Sequence, residues 1–544
     1  MSIAKPILSS QRIQALQSAG HWQNKTILDF FDANVAQQGG KTAVIAYLKD
    51  NNTKVSKTYE ELANLSDRLA AGLLKQGIKK GDVVSYQLPN WWEFVVVYLA
   101  CMRVGAISNP LMPIFREQEL SFMLSFAESK LVIGPSIFKK FNHAELLNKL
   151  QPNLPSLEAV WVLDDNSSDN GLQAYMVDEV SEQDRATFEA VKLTPNDVFL
   201  IMYTSGTTGA PKGVMHTSNT HEYSARKFIE RSELTSEELI LMGSPTAHMT
   251  GLMYGVSVPI MLGSTTVLLD QWNADLAWKI IRDEQVAFTM GATPFLADLS
   301  DSGVVDECNH EKFRLFACGG APVPPALGRR ASARLNVNLV TVWGMTEMSA
   351  VTTTLLTDSE EKVFETDGCP YDGTEVRVID QQGAAVENGT EGRLQTRGAG
   401  NFVGYLKRPE AYDTDKDGWF ETGDLAKIVH QHYIRITGRS KDIIIRGGEN
   451  IPVAVVENVL YRHDALQDVA IVAKADERLG ERACCYITLR PQQSFDLEIL
   501  KSYLSDEGLS KNYWPEYLEI LDAMPRTASG KIQKFKLREM ANNV

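Results

Sequence analysis

Short β-rich runs alternate with amphipathic helical segments along most of this 544-residue chain. The clearest helix is expected to begin after Thr58, because Thr58 and Glu61 have the spacing of a capping box, and to end at Gly77. A strand at residues 83–88 follows it directly. Because helices that alternate with strands pack on the faces of a mostly parallel sheet, this pattern predicts an α/β fold.

Composition and charge limit what such a chain can do. Hydrophobic residues make up 44% and charged residues 23%, which excludes a disordered or collagen-like chain, and the length predicts several folding units. Lys and Arg number 54 against 69 Asp and Glu, so the net charge is −15. Since this sign repels nucleic acid and anionic membranes, neither is expected as a partner, and an anionic ligand needs a locally positive site.

The six cysteines show no C-x-x-C spacing and the N-terminal residues show no signal-peptide pattern, so we expect a reduced, cytoplasmic protein. The long uncharged window at residues 239–269 contains Pro245 and Pro259 among several glycines. We therefore interpret it as buried strands and loops and not as an integral membrane segment.

The rest of the chain predicts two domains. Further strands are expected at residues 198–203, 265–269, 339–343, 376–379, 469–473 and 483–489, and a polar helix at 497–504. The apolar run at residues 91–102 is expected in the core. We place the boundary at the polar turn 438–442, which gives a large N-terminal domain, residues 1–438, and a small α+β C-terminal domain, residues 439–544.

Residues 203–213 carry the first chemical signal, reading Tyr-Thr-Ser-Gly-Thr-Thr-Gly-Ala-Pro-Lys-Gly. Glycines that expose backbone N–H groups, hydroxyl side chains and the charge of Lys212 are what a polyphosphate needs. The string is not a Walker A loop, because Ala210 and Pro211 separate the glycine from the lysine. The alternative is a flexible surface turn.

This string resembles the adenylate-forming superfamily of acyl-CoA synthetases, nonribosomal-peptide adenylation domains and firefly luciferase. Seven further segments similar to motifs of that family follow in order, at residues 244–251, 319–322, 343–347, 418–424, 438–442, 447–450 and 525–531. The resemblance implies a large N-terminal domain of two α/β subdomains plus a β-barrel-like subdomain, followed by a small mobile C-terminal domain. It also implies that ATP converts a carboxylate to an acyl-AMP, which a thiol then attacks.

The site residues that the resemblance implies fall into five groups. The expected catalytic residues are Lys531, Thr346, Glu347 and His248. The expected nucleotide-binding residues are Thr204, Ser205, Gly206, Thr207, Thr208, Gly209, Lys212, Gly320, Ala321, Pro322, Trp343, Gly344, Met345, Asp424 and Arg439. Gly447 and Gly448 are expected to line a CoA tunnel, Lys441 to act as the hinge, and Thr204 and Glu347 to hold Mg²⁺.

Several of these residues have simpler explanations or depart from the family pattern. His248 could equally be a core histidine, and Trp343 could serve core packing as well as adenine binding. The family often has a Pro and a Glu where this chain has Val453 and Val455, and commonly a Tyr in place of Trp343. Those two valines bear on the geometry of the CoA tunnel and not on the reaction.

The expected substrates are ATP, CoA and an apolar carboxylic acid. Only thirteen residues follow Lys531, with no carrier module, which favours CoA as the thiol. Residues 248–257 contain no acidic side chain to pair with an ammonium group. Strings such as 212–217 and 291–295 look closest to ligases of short- or medium-chain fatty acids and cyclohexanecarboxylate-type acids, hence to lipid metabolism.

Two alternatives to an AMP-forming acyl-CoA ligase stay open. One is a stand-alone adenylating enzyme that loads a carrier protein, and the other is an ATP-binding regulatory or scaffold protein without catalysis. Retention of Lys531, Thr346, Glu347, Asp424 and Arg439 argues against the latter. A homodimer also stays open.

Overall fold

The computed structural model describes residues 3–49, 53–163, 170–204, 211–307, 310–320, 323–439, 442, 444–446, 449–451, 453–476, 478–527 and 530–542. In these residues, helices cover the faces of two large, mostly parallel sheets, and two smaller sheets follow toward the C-terminus. The predicted α/β fold, with a large N-terminal and a small C-terminal domain, is confirmed.

The helix Tyr59–Lys75 begins where the capping box predicts it. The Thr58 hydroxyl accepts the Glu61 N–H at 3.1 Å, and the Glu61 carboxylate accepts the Thr58 N–H at 2.7 Å. The helix buries leucines at helical spacing, and Gly77 follows it at φ +95°. The next strand, Val83–Tyr86, is two residues shorter than expected and ends ahead of Pro89, which has no N–H for a sheet.

Two large sheets form the N-terminal part within the described ranges. The six-stranded sheet has the spatial order Lys212–Thr217, Val198–Thr204, Ile107–Pro110, Val83–Tyr86, Leu131–Pro135 and Ala159–Leu163. The nine-stranded sheet has the order Cys369–Pro370, Ser349–Thr353, Asn338–Met345, Leu315–Gly319, Val286–Gly291, Leu239–Met242, Thr265–Leu269, Thr42–Leu48 and Thr53–Thr58. Both are parallel inside, with antiparallel strands toward their edges.

Smaller sheets follow in the described part of the chain. An antiparallel four-stranded sheet, where the resemblance implies the barrel-like subdomain, consists of Thr374–Ile379, Gly392–Gly398, Phe420–Val429 and Tyr433–Arg439. The C-terminal sheet contains Glu449–Ile451, Ile444–Arg446, Gly480–Leu489, Leu466–Asp476 and Tyr517–Ile520. A small hairpin pairs Ile137–Phe138 with Phe141–Asn142. All six further predicted strands lie in these sheets.

Helices connect the strands and cover the sheets. The α-helices are Ser10–Ser18, Ile27–Gln38, Tyr59–Lys75, Trp92–Arg103, Glu117–Phe126, His143–Leu150, Asn170–Gln173, Glu182–Val191, Ser218–Arg231, Met249–Leu252, Val258–Leu262, Ala274–Asp283, Thr293–Asp301, Pro325–Leu335, Glu360–Glu365, Val453–Leu460, Leu497–Asp506 and Lys534–Asn542. Single 3₁₀ turns lie at Gln151–Asn153, Gly303–Glu307, Pro409–Ala411 and Lys511–Tyr513.

The expectation of strands and loops throughout residues 239–269 is wrong in the middle of that window. Strands occupy its two ends, but Met249–Leu252, a π-helical turn at Met253–Ser257 and Val258–Leu262 form a continuous helical segment between them. Nearly all of this segment is buried. A helix that is apolar on every side carries no 3.6-residue periodicity, so the sequence pattern could not reveal it.

No helix in the part of the chain that the structure describes is long and apolar enough to cross a membrane. The strand Tyr433–Arg439 ends the four-stranded sheet, and the next strand, Ile444–Arg446, already belongs to the C-terminal sheet. The predicted boundary between residues 438 and 439 lies at the end of the first of these strands and stays a prediction.

Candidate active site

The glycine-rich string joins two paired antiparallel strands. Thr204 ends one strand and lies directly opposite Lys212, which begins the antiparallel partner. The Lys212 ammonium lies 4.5 Å from the centre of the Tyr405 ring. The hairpin therefore fixes both ends of the string and places one positive charge beside it, while residues 205–210 lie outside the described residues.

Glu347 is a buried carboxylate beside this hairpin, with 5% of the residue exposed. Tyr405 donates its hydroxyl to Glu347 Oε1 at 2.7 Å. Burial raises the pKa of Glu347, while the hydrogen bond from Tyr405 and the charges of Lys212 and Arg439 act in the opposite direction. A carboxylate in this position gains stability in its charged form from any cation placed next to it.

Trp343, Asp424 and Arg439 form a hydrogen-bonded chain between two sheets. The Trp343 indole N–H donates to Asp424 Oδ2 at 3.0 Å, and Arg439 Nε donates to Asp424 Oδ1 at 3.1 Å. Asp424 and Arg439 are also directly paired across neighbouring antiparallel strands. Trp343 comes from the nine-stranded sheet, so Asp424 is oriented by residues of two subdomains that the sequence could not place together.

The turn after Trp343 allows no side chain at Gly344. A Cβ atom at Gly344 would lie 1.9 Å from the Ser349 carbonyl oxygen. The backbone of Thr346 is fixed by a hydrogen bond, because His216 Nε2 lies 2.7 Å from the Thr346 carbonyl oxygen. Only an N–H can donate to a carbonyl, so His216 carries its proton on Nε2.

Lys531 brings the C-terminal domain to this group of residues. Its backbone N–H donates to the Thr527 hydroxyl at 3.0 Å, in a turn that contains Gly530 at φ +85°. The charge of Arg439 and then burial lower the pKa of Lys531 to about 8, and Asp424 acts against them. Residues far apart in the sequence therefore act on one ammonium group.

His248 is also adjacent to Lys531. Burial and then the charge of Lys531 lower the pKa of His248 to about 4, so its ring is neutral at pH 7. His248 Nδ1 accepts the Thr250 N–H at 3.3 Å and caps the helix Met249–Leu252. The His248 ring is thus held by a backbone N–H and also lines a cavity.

The cavity beside His248 is narrow and mostly apolar. Its free volume is about 10 Å³, room for about one water molecule. It is lined by Pro110, Met112, Phe115, Met202, Tyr203, Ala247, His248, Met249 and Thr346. Three of these residues are methionines, whose flexible side chains can repack when a ligand enters.

Several predicted site residues lie outside the described residues, so their placement stays untested. They are Ser205, Gly206, Thr207, Thr208, Gly209, Ala321, Pro322, Lys441, Gly447 and Gly448. Two other predicted residues, Gly320 and Met345, are described. Gly320 has φ +82° and follows the strand Leu315–Gly319. Met345 ends the strand Asn338–Met345.

Sequence reasoning missed Tyr405 and His216, which hold Glu347 and Thr346 respectively. His216 lies on the same strand as Lys212, within the string 212–217, but it was given no role of its own there, and Tyr405 lies outside every predicted motif. The sequence offers no local signal for these two contacts, because each joins residues more than fifty positions apart and depends on which strands pair.

The acidic side chains near the hairpin suit a metal ion that is shared with a substrate. Among the described side chains, no cluster of three or more His, Cys, Asp or Glu could hold a metal by itself. Mg²⁺ in nucleotide enzymes usually takes one or two carboxylates together with substrate phosphates and water. The buried Glu347, with one oxygen engaged by Tyr405, fits a site of that kind.

Comparison with known proteins gives consistent matches along the chain. One family model, described as AMP-binding enzyme, matches residues 31–406, and a second, described as AMP-binding enzyme C-terminal domain, matches residues 455–531. The medium-chain fatty-acid–CoA ligase of Escherichia coli (strain K12) is 35% identical over 534 residues, 98% of this chain and 93% of the relative.

One further relative and one solved structure also match nearly the whole chain. The 2,3-dihydroxybenzoate-AMP ligase of Bacillus subtilis (strain 168) is 32% identical over 529 residues, 96% of this chain and 94% of the relative. The solved structure of a Mycobacterium tuberculosis fatty acyl CoA synthetase superposes with a TM-score of 0.72 at 27% identity, covering 95% of this chain and 98% of that one.

Proposed function

Because the chain belongs to the family of AMP-binding enzymes and is an AMP-forming acid–thiol ligase, we propose that it converts a medium-chain or alicyclic carboxylic acid to its CoA thioester. ATP and CoA are substrates of this family. The observation that carries the proposal is the meeting of Lys531, Arg439 and Asp424 beside an apolar, methionine-lined cavity. That arrangement supplies charge for phosphate chemistry and an uncharged slot for an acyl chain.

In the first half-reaction a carboxylate oxygen of the acid attacks the α-phosphate of ATP, and pyrophosphate leaves. We assign Lys531 to hold the two anionic groups together. We assign Asp424 to accept the ribose hydroxyls, for which its oxygens retain lone pairs beyond those used by Trp343 and Arg439. Arg439 donates to ribose or phosphate oxygens. The protein thus contributes orientation and charge.

The remaining polar residues complete the nucleotide site. We assign the hairpin between Thr204 and Lys212 to the polyphosphate, and Trp343 with the turn that begins at Gly320 to the adenine side. When bound, Mg²⁺ would neutralise phosphate charge, held by Glu347 with the Thr204 hydroxyl. Thr346 is kept in place by His216.

The second half-reaction needs space for a thiol where Lys531 stands in this conformation. We propose that the C-terminal domain rotates about Lys441, withdraws Lys531, and brings Gly447 and Gly448 to line the path of CoA. His248 then stands between the acyl group and the incoming thiol. Its low pKa keeps the ring neutral, so it adds no charge that would repel the ammonium of Lys531 in the first step.

The pH dependence of adenylation tests the role of Lys531. We expect kcat/KM for ATP–pyrophosphate exchange to fall as the pH rises through about 8, because deprotonation removes the charge that bridges the two anions. Since kcat/KM reports the free enzyme, the bound phosphates do not mask this pKa. Arg439→Gln removes the largest cause of the low pKa and should move the fall to higher pH.

The measurement is a set of exchange rates between about pH 6 and about pH 10 for the wild type and Arg439→Gln. A fall at the same pH in both proteins would contradict the assignment. A flat wild-type profile would contradict it as well.

A substrate panel tests the acyl specificity. We expect acids of roughly six to ten carbons, or compact ring acids, to exceed acetate and phenylalanine, because each methylene that fits an apolar slot adds up to about tenfold in kcat/KM. A buried α-ammonium without a partner costs several kcal/mol. CoA thioester formation is measured with acetate, hexanoate, octanoate, cyclohexanecarboxylate, benzoate, palmitate and phenylalanine. Acetate or phenylalanine as the best substrate would overturn this specificity.

The second candidate is an adenylating enzyme that loads a carrier protein; it is kept because one relative is named as an acid–AMP ligase, with no CoA in its name. The two candidates differ only in the thiol. AMP release that depends on free CoA supports the ligase, whereas release that depends on a phosphopantetheinylated carrier protein, and not on CoA, supports the alternative.

A further inference from the structure

Gln87 and Asn90 are two fully buried polar side chains that flank Leu88 and Pro89, just after the strand Val83–Tyr86. Neither lines the cavity beside His248, yet each binds the backbone of a segment that does or that leads into it. We propose that Gln87 and Asn90 are positioning residues that set the width of this cavity and thereby determine which acids the enzyme accepts. The inference rests on the proposed function, in which the acyl chain occupies that cavity.

Gln87 fixes one wall of the cavity, the one that Met112 and Phe115 form. Its amide nitrogen donates to the carbonyl oxygens of Met112 and Phe115, both at 3.0 Å. Its Oε1 lies 2.9 Å from His143 Nδ1. Met112 and Phe115 both line the cavity. One side-chain amide therefore uses both of its N–H groups to fix the backbone on this side.

His143 pairs with the oxygen of the Gln87 amide. Burial and then the charge of Arg116 lower the pKa of His143 to about 4, so the ring is neutral. Because Gln87 Oε1 can only accept, the proton lies on His143 Nδ1. The carbonyls of Met112 and Phe115 can only accept, so they fix the amide nitrogen on their side, and His143 Nδ1–H satisfies the amide oxygen that faces away from them.

Asn90 fixes the backbone next to a second wall of the cavity, residues 247–249, also through hydrogen bonds. Its Oδ1 accepts the Thr246 N–H at 2.8 Å, and its Nδ2 donates to the carbonyl oxygens of Ser244 at 2.9 Å and Leu269 at 3.1 Å. Ala247, His248 and Met249, which line the cavity, follow Thr246 directly. The short segment 87–90 thus anchors two cavity walls that come from different sheets.

These anchors matter because the cavity has little spare space. The methionine side chains in its walls can adapt to a ligand, but the backbone beneath them moves only if its hydrogen bonds change. Because a free volume of about 10 Å³ holds about one water molecule, an acyl chain enters only when the wall side chains move, and the anchored backbone limits how far they can move. The side chains then tune the shape within limits that Gln87 and Asn90 set.

Gln87→Met and Asn90→Leu test the inference, because each keeps approximately the side-chain volume and removes the hydrogen bonds. We expect the ratio of kcat/KM between octanoate and benzoate to change by about tenfold or more, while the KM for ATP stays within about twofold. The matched control is Tyr59→Phe. It removes a buried hydroxyl that donates to the Ser264 carbonyl at 2.8 Å, away from the cavity.

Thermal stability is measured in parallel to separate positioning from general destabilisation. All three variants lower the Tm, but only the two cavity anchors should change the acid preference. An unchanged ratio in folded Gln87→Met and Asn90→Leu, or an equal change in Tyr59→Phe, overturns the inference. Failure of the wild type to use any acid of the panel would instead overturn the proposed function.

If Gln87→Met or Asn90→Leu does not fold, His143→Leu provides a third variant that tests the same inference. His143 does not line the cavity, and its side chain hydrogen-bonds Gln87, which in turn holds the carbonyls of Met112 and Phe115. A changed octanoate-to-benzoate ratio in this variant, with the KM for ATP retained, supports the inference. An unchanged ratio contradicts the positioning of the Met112 and Phe115 wall.

Discussion

Lys531→Ala is expected to reduce acyl-adenylate formation by about a hundredfold or more, since one preorganised charge contact at a reacting phosphate is removed. Lys531, in the small C-terminal part of the chain, lies close enough to Arg439 and Asp424 for their charges to act on it. The conversion of supplied acyl-AMP and CoA to thioester should stay near the wild-type rate, because the lysine acts only in the first conformation. ATP–pyrophosphate exchange and single-turnover thioester formation measure the two steps separately.

Lys536→Ala is the matched control, because Lys536 is an exposed lysine on the helix Lys534–Asn542 of the same domain. Its two half-reactions should match those of the wild type. A loss of only about three- to fivefold in Lys531→Ala, below the range for one preorganised contact, would refute the assigned role. Equal losses in both half-reactions would mean that the substitution damages the fold.

Lys441→Pro is expected to leave adenylation largely intact and to reduce thioester formation by at least about tenfold. Proline fixes φ near roughly −65° and removes a backbone N–H, so the rotation between the two conformations is blocked. The neighbouring Asp442 pairs with Arg538 of the last helix, so a change of backbone direction at residue 441 moves the C-terminal domain as a unit.

Lys441→Ala removes the same side chain and leaves the backbone free, so both of its half-reactions should stay close to the wild type. If Lys441→Ala loses thioester formation as strongly as Lys441→Pro, the side chain and not the backbone rotation is responsible. Loss of adenylation in the proline variant would argue against a hinge at this position.

Patterns within short stretches of sequence predicted local structure well. The capping box at Thr58 and the leucine spacing that follows located a helix to within two residues, because its caps and its buried face depend on neighbours along the chain. The glycine-rich string was placed after a strand, where the structure has a hairpin. The apolar run 91–102 is confirmed in the core; it forms the helix Trp92–Arg103, and because this helix is buried on all sides the sequence carried no periodic signal for it.

The sequence by itself determined the α/β class, the two domains' order and the chemical types present at the candidate site. Only the tertiary structure decided that Trp343 and Arg439 orient Asp424, that Tyr405 holds Glu347, and that Gln87 and Asn90 anchor the cavity. Each of these contacts joins different strands, loops or sheets. A sequence motif shows which residue types are present at a site. The distances between their side chains depend on strand pairing and on packing across the whole chain, and no local pattern contains that information.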